Sequence, residues 1–241
     1  AARSGACDSR QGGDRELGPR VIDADDPLGA FLSGEVRRGA MPGVAWWVGD
    51  VHETIASGAA GHATIEPDRT PLTKDAPFDL ASLTKPLATA LLATILDRER
   101  RLSLETPLGA IFPGLRASPF GGVTLRDAAA HRAGFPAWLP LYLVGTTRDA
   151  YVTAIAACER QGASGETIYS DLGYILLGFA VETAAGAPLD RLFAERIAHP
   201  LGLNRCGFAG RTGVFGDAAA TECGGFHEKE LAGPTARADG F

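Results

Sequence analysis

The 241-residue sequence is poor in cysteine, lysine and long apolar runs, and each shortage excludes something. Its four Cys, at positions 7, 158, 206 and 223, form no CxxC pair and no dense framework, so neither a thiolate metal cluster nor a disulfide scaffold organises the chain. They read as free buried thiols, with a Cys206–Cys223 pairing left open. There is no basic block: 23 Lys plus Arg stand against 29 Asp plus Glu, a net charge of −6. That removes the electrostatic footprint of a nucleic-acid binder. No apolar run approaches the roughly 18 residues of a membrane span. The five His, at 52, 62, 131, 199 and 227, show no metal-ligand spacing, and no metal or organic cofactor is implied. GxSxG, P-loop and GxGxxG patterns are missing too, which disfavours the α/β-hydrolase, NTPase and dinucleotide-binding folds that carry them. The chain starts Ala-Ala-Arg with no Met and no apolar signal core, so targeting information is absent or already removed, and no compartment is fixed.

What is present suits a globular, loop-rich enzyme-like domain: 45% hydrophobic residues, 22% charged, 31 Gly and 15 Pro. Residues 1–25 are almost without apolar side chains and read as a disordered leader ahead of a domain covering 26–241. Pro27 opens a helix with Leu28, Phe31, Leu32 and Val36 on one face. Val44–Val48 and Val51–Ala56, around Gly49-Asp50, read as an antiparallel hairpin, and 61–77 as loop. From Leu83 to Arg100 the period changes. Leu87, Leu91, Ile95 and Ala88, Leu92, Leu96 make two adjacent ridges, a wide apolar stripe on one helix. Shorter helices are expected at about 124–131, 147–158, 171–184 and 188–198, and a Gly-rich loop from 207 onward.

The densest chemical signal is Phe78-Asp79-Leu80-Ala81-Ser82-Leu83-Thr84-Lys85. Ser82 stands at a helix start with Lys85 one turn on, on the same face, so the ammonium can reach the hydroxyl. A serine hydroxyl is a weak nucleophile until a neighbouring base takes its proton. The chain has nine Ser but just three Lys, at 74, 85 and 229, against 20 Arg, so a Lys inside an apolar stretch is selective. Tyr169-Ser170-Asp171 precedes a second apolar helix. By itself it fits an aromatic core residue beside an Asp cap; beside Ser82 and Lys85, Tyr169 becomes a candidate third group. Lys and Tyr both titrate near 10, so either needs a shift of about 3 units to act as a base at neutral pH. A Lys85 ammonium would depress Tyr169, desolvation would depress Lys85, and the sequence does not say which holds the proton. His131 reads as a structural loop histidine.

With these motifs in place the chain resembles the serine beta-lactamase, penicillin-binding and esterase superfamily, in its class C beta-lactamase-related branch. The resemblance runs from Phe31 onward through Pro42-Gly43-Val44, FDLASLTK at 78–85, HRAGFP at 131–136, YSDLGYILLG at 169–178, Pro188 to Gly202, and Gly224 to Glu228. It implies an α/β (α+β) fold, an antiparallel sheet flanked by helices with a helical subdomain. It implies a serine hydrolase that forms an acyl-enzyme: Ser82 the nucleophile, Lys85 its proton acceptor, Tyr169 the base or relay, and Asp171 a substrate-binding residue. The substrate would be a small ester, peptide or lactam.

Two departures qualify the resemblance. Asp171 replaces an Asn that donates to a substrate carbonyl in beta-lactamases, and an ionised Asp can only accept. That shifts weight from lactams to esters or peptides. The family's last motif, with its strand, has no clear counterpart. Arg211-Thr212-Gly213 has the letters in a loop setting and reads as accidental, so the final strands are expected to be missing. The alternative reading is a catalytically inactive binding or sensor domain of the same fold.

Overall fold

The computed structural model describes residues 27–163, 165–209 and 218–220. The leader, Cys7, Cys223, Arg211-Thr212-Gly213 and the turn at 224–228 lie outside the described residues. The described chain forms two compact units, 27–78 with 218–220 and 79–209.

In the first unit, α1 (Pro27–Arg37) begins at the expected proline and packs on a three-stranded antiparallel sheet of order β1–β2–β3. β1 (Gly43–Gly49) and β2 (Thr54–Thr64) are the expected hairpin, in register from Gly43 opposite Gly61 to Val48 opposite Ala56, with a one-residue shift before Gly49 meets Thr54. The turn is longer than two residues because the Asp50 carboxylate accepts the N–H groups of His52 and Glu53, at 2.7 and 3.0 Å. This side-chain turn holds residues 50–53 out of the ladder, so β2 starts three residues later than expected. β2 then runs on through 61–64, where β3 (Thr70–Pro71) pairs with it. That stretch was expected to be loop, and strand pairing overrides its Gly- and Ala-rich composition.

The second unit is helical. The expected continuous helix from Leu83 is three segments: a 3₁₀ turn at Ala81–Leu83, a π-helical stretch at Lys85–Ala90, and α2 (Leu91–Arg98). Its apolar stripe is corrected as well. Ala88, Leu92 and Leu96 are buried, but Leu87 and Leu91 are exposed, and Thr89 and Ala93 are buried in their place. The buried face lies toward α6, where Thr89 is next to Gly178, and a Cβ at Gly178 would meet the Thr89 methyl at an ordinary 4.0 Å. Then come α3 (Leu108–Ile111), α4 (Leu125–Ala129), α5 (Arg148–Ala156), α6 (Asp171–Ala185) and α7 (Leu189–Phe193). Thr124, Thr147 and Ser170 cap α4, α5 and α6 with their hydroxyls. Gly186 closes α6 in the left-handed conformation, φ 69°, that glycine adopts without penalty.

α6 is the central helix. Leu172, Leu176, Leu177 and Val181 are fully buried, each worth about 1.5–3 kcal/mol relative to exposure. Gly173 lets α4 come close, because a Cβ there would sit 3.0 Å from the Ala128 carbonyl oxygen. Among the described residues no single helix is long and apolar enough to cross a membrane.

Candidate active site

The four residues singled out by sequence all fall in the helical unit, and the fold brings them together around one ammonium. Lys85 donates from Nζ to Ser82 Oγ at 3.0 Å and contacts Asp171 Oδ1 at 2.6 Å. The same Nζ lies 5.0 Å from the centre of the Tyr169 ring. The Lys85 side chain is 14% exposed, whereas Ser82 is exposed and Tyr169 is 52% exposed. The nucleophile candidate faces solvent while the charge behind it is sheltered.

Local backbone sets this geometry. Ser82 sits in the 3₁₀ turn, directly after Ala81, whose φ of 43° is left-handed. A non-glycine residue in that region is strained by about 1–2 kcal/mol. Asp79 holds it there, its Oδ1 accepting the Ala81 N–H at 2.8 Å. On the other side, Ser170 is the cap of α6, accepting from the Leu172 N–H. Asp171 is therefore the first helical residue and not the cap, and its carboxylate suits the positive end of the helix. Tyr169, just before the cap, projects into the cleft.

The proton distribution follows from these contacts. Burial pulls Lys85 downward, but the hydrogen bonds to Asp171 and then Tyr169 outweigh it, and the net shift is upward. Tyr169 is shifted down, first by Lys85 and then by Ser82, against a small opposing effect of burial. Lys85 thus holds its proton and Tyr169 is the group made more acidic.

Ser82, Lys85 and Tyr169 open into a cleft of about 490 Å³, with Leu80, Leu83 and Pro86 on its apolar side and His131 and Tyr174 beside Tyr169; Asp171 lies behind Lys85 and does not line it. His131 was expected to be structural, and its structural contacts are plain: its Nδ1 accepts the Ser170 N–H at 3.1 Å. It also lines the cleft, stacked between Tyr169 and Tyr174 at ring-centre distances of 4.4 and 5.1 Å. Tyr174 was not singled out from sequence. Its spacing from Tyr169, just over one helical turn into α6, is the signal that would have found it.

An antiparallel sheet, a helical unit and a cleft built on a Ser-x-x-Lys turn and a Tyr-Ser-Asp turn define the beta-lactamase and penicillin-binding class of fold. The chain belongs to the Beta-lactamase family, which it matches over residues 28–238. It is 37% identical over 146 residues to an Escherichia coli K12 protein whose name proposes a D-alanyl-D-alanine carboxypeptidase, a stretch covering 54% of this chain and 33% of that protein. It is 31% identical over 140 residues to the D-alanyl-D-alanine-carboxypeptidase/endopeptidase AmpH of the same strain, covering 54% of this chain and 36% of AmpH. These matches span about a third of the relatives' length. Among solved structures, a class C beta-lactamase from Rhodobacter sphaeroides superposes with TM-score 0.63 at 26% identity, covering 79% of this chain and 59% of that one. The relatives carry the names of hydrolases.

Proposed function

We propose that this protein is a serine hydrolase that works through an acyl-enzyme on a small ester or peptide-like substrate. One observation carries the reading: a single sheltered ammonium, Lys85, is shared by the Ser82 hydroxyl and the Asp171 carboxylate with Tyr169 beside it. In the first step Tyr169, as phenolate, takes the Ser82 proton while Oγ bonds to the substrate carbonyl carbon. The tetrahedral oxyanion is met by backbone N–H groups, that of Ser82 among them. The bond to the leaving alcohol or amine then breaks, and Tyr169 returns the proton to it. Water, deprotonated by the same phenolate, releases the acyl group and restores Ser82.

Asp171 supports Tyr169 over Lys85 as the base, because its carboxylate favours a protonated Lys85 and so a positive neighbour for the phenolate. It also argues for esters and peptides over lactams, since an ionised Asp cannot donate to an acylamide carbonyl. Labelling with a fluorophosphonate, followed by mapping of the adduct, tests the assignment. The expected adduct is on Ser82 and vanishes in Ser82→Ala. An adduct on another serine refutes the nucleophile, and no adduct together with no ester turnover supports the inactive binding domain instead.

A further inference from the structure

Tyr169 is half-exposed, so packing alone does little to aim it; the backbone on either side has to. Four hydrogen bonds from residues 168–171 to the loop at 131–137 do this. The Ile168 N–H donates to the His131 carbonyl oxygen at 2.8 Å and the Asp171 N–H to that of Ala137 at 2.9 Å. The Ser170 N–H donates to His131 Nδ1 at 3.1 Å, and the Ser170 hydroxyl to the Pro136 carbonyl oxygen at 2.6 Å. The two bonds made by His131 bracket Tyr169, one residue before and one after. The imidazole also lies against the Tyr169 ring, backed by Tyr174, whose hydroxyl is tied to the Ala129 carbonyl at 3.0 Å.

Resting on the reading above, we infer that His131 is the positioning residue that holds Tyr169 against Lys85, acting as a neutral hydrogen-bond acceptor and not as a proton-transfer group. A backbone N–H fixes the tautomer: Nδ1 must carry the lone pair, so the ring proton is on Nε2. Burial, and then the Lys85 charge, keep the ring neutral against the pull of Asp171. Protonation would set an N–H against the Ser170 N–H and release the segment after Tyr169. His131 makes both contacts from a left-handed backbone, φ 59°, a conformation that Asn also tolerates.

That tolerance supplies the test. His131→Asn keeps an acceptor oxygen near the Nδ1 position and has no group that titrates. His131→Leu fills space but leaves the Ser170 N–H without its partner. Both are compared with wild type and Tyr169→Phe in turnover of p-nitrophenyl acetate, expressed per Ser82 titrated by fluorophosphonate. His131→Asn is expected to keep kcat within about threefold. His131→Leu is expected to lose about 10²-fold in kcat, the scale of a small misplacement, with KM little changed. Its acidic limb is expected to move to higher pH, as Tyr169 leaves the ammonium. His131→Asn as slow as His131→Leu would show that the hydrogen-bond acceptor is not what His131 contributes and overturn the inference; so would a His131→Leu rate equal to wild type while Tyr169→Phe is slow. A Tyr169→Phe rate equal to wild type refutes the role of Tyr169 itself, and this inference with it. If His131→Leu does not fold, His131→Gln, with its acceptor one methylene farther out, makes the same comparison.

Discussion

The two units hold together by different means. In the sheet unit the buried hydrophobic side chains, among the described residues, are Ala56 and Leu72, and Trp47, Val51 and Ile55 are exposed. Its order comes mainly from the backbone ladder between β1 and β2. The helical unit buries a continuous cluster from Ala88 to Ala198 around α6, and all four candidate site residues stand on it. A side-chain constellation has to be held to within about half an ångström to be productive, which densely packed helices provide better than a thin sheet.

The largest expected effect leaves packing alone. Lys85→Ala and Tyr169→Phe should each lower kcat by at least about 10²-fold, and Tyr169→Phe, at a side chain that is 52% exposed, should keep its thermal midpoint close to wild type. The double variant should lose far less than the product of the two, since they share one proton path. Fully multiplicative losses, measured by steady-state kinetics, would separate the two groups.

Stability should show the contrast between units directly. Leu176→Ala, at a fully buried position of α6, should cost about 2–5 kcal/mol in denaturant unfolding. Ile55→Ala, at a position of β2 that is 55% exposed, should stay within about 0.5 kcal/mol. Equal losses would mean that the sheet unit carries burial of a kind its accessible side chains do not suggest.

The smallest effect sharpens the electrostatics of the site. Asp171 raises both Lys85 and Tyr169, so Asp171→Asn lowers both. The acidic limb of kcat/KM, where Tyr169 must lose its proton, and the alkaline limb, where Lys85 must keep its own, should therefore move together to lower pH. A pH–rate profile on an activated ester checks this. An unmoved profile, or limbs that move apart, would remove Asp171 from the coupled group.

A one-turn Ser–Lys spacing is a local device, so the Ser82–Lys85 pair is legible in the sequence; Tyr169 and Asp171, far along the chain, join it only through the family resemblance. The hairpin, a local device too, was legible in the same way. What escaped depended on partners far along the chain. Leu87 and Leu91 look like core by hydrophobicity, yet they are exposed and Thr89 and Ala93 are buried, with Thr89 facing Gly178 on α6. The strand through 61–64 is visible only with β3 beside it. The His131 clamp on Ser170 joins residues 39 positions apart, and no local pattern announces such a bond.

The ion pair between Lys85 and Asp171 also bears on how a substrate arrives. While Tyr169 keeps its proton the two charges cancel, and the described residues lining the cleft around Lys85 are apolar, hydroxyl-bearing or held neutral. The mouth of the cleft therefore casts little field of its own into solvent. It neither gathers anions, as a lone buried lysine would, nor repels them strongly. Encounter is then governed by diffusion and shape, and the cleft itself should add little dependence on ionic strength to kcat/KM.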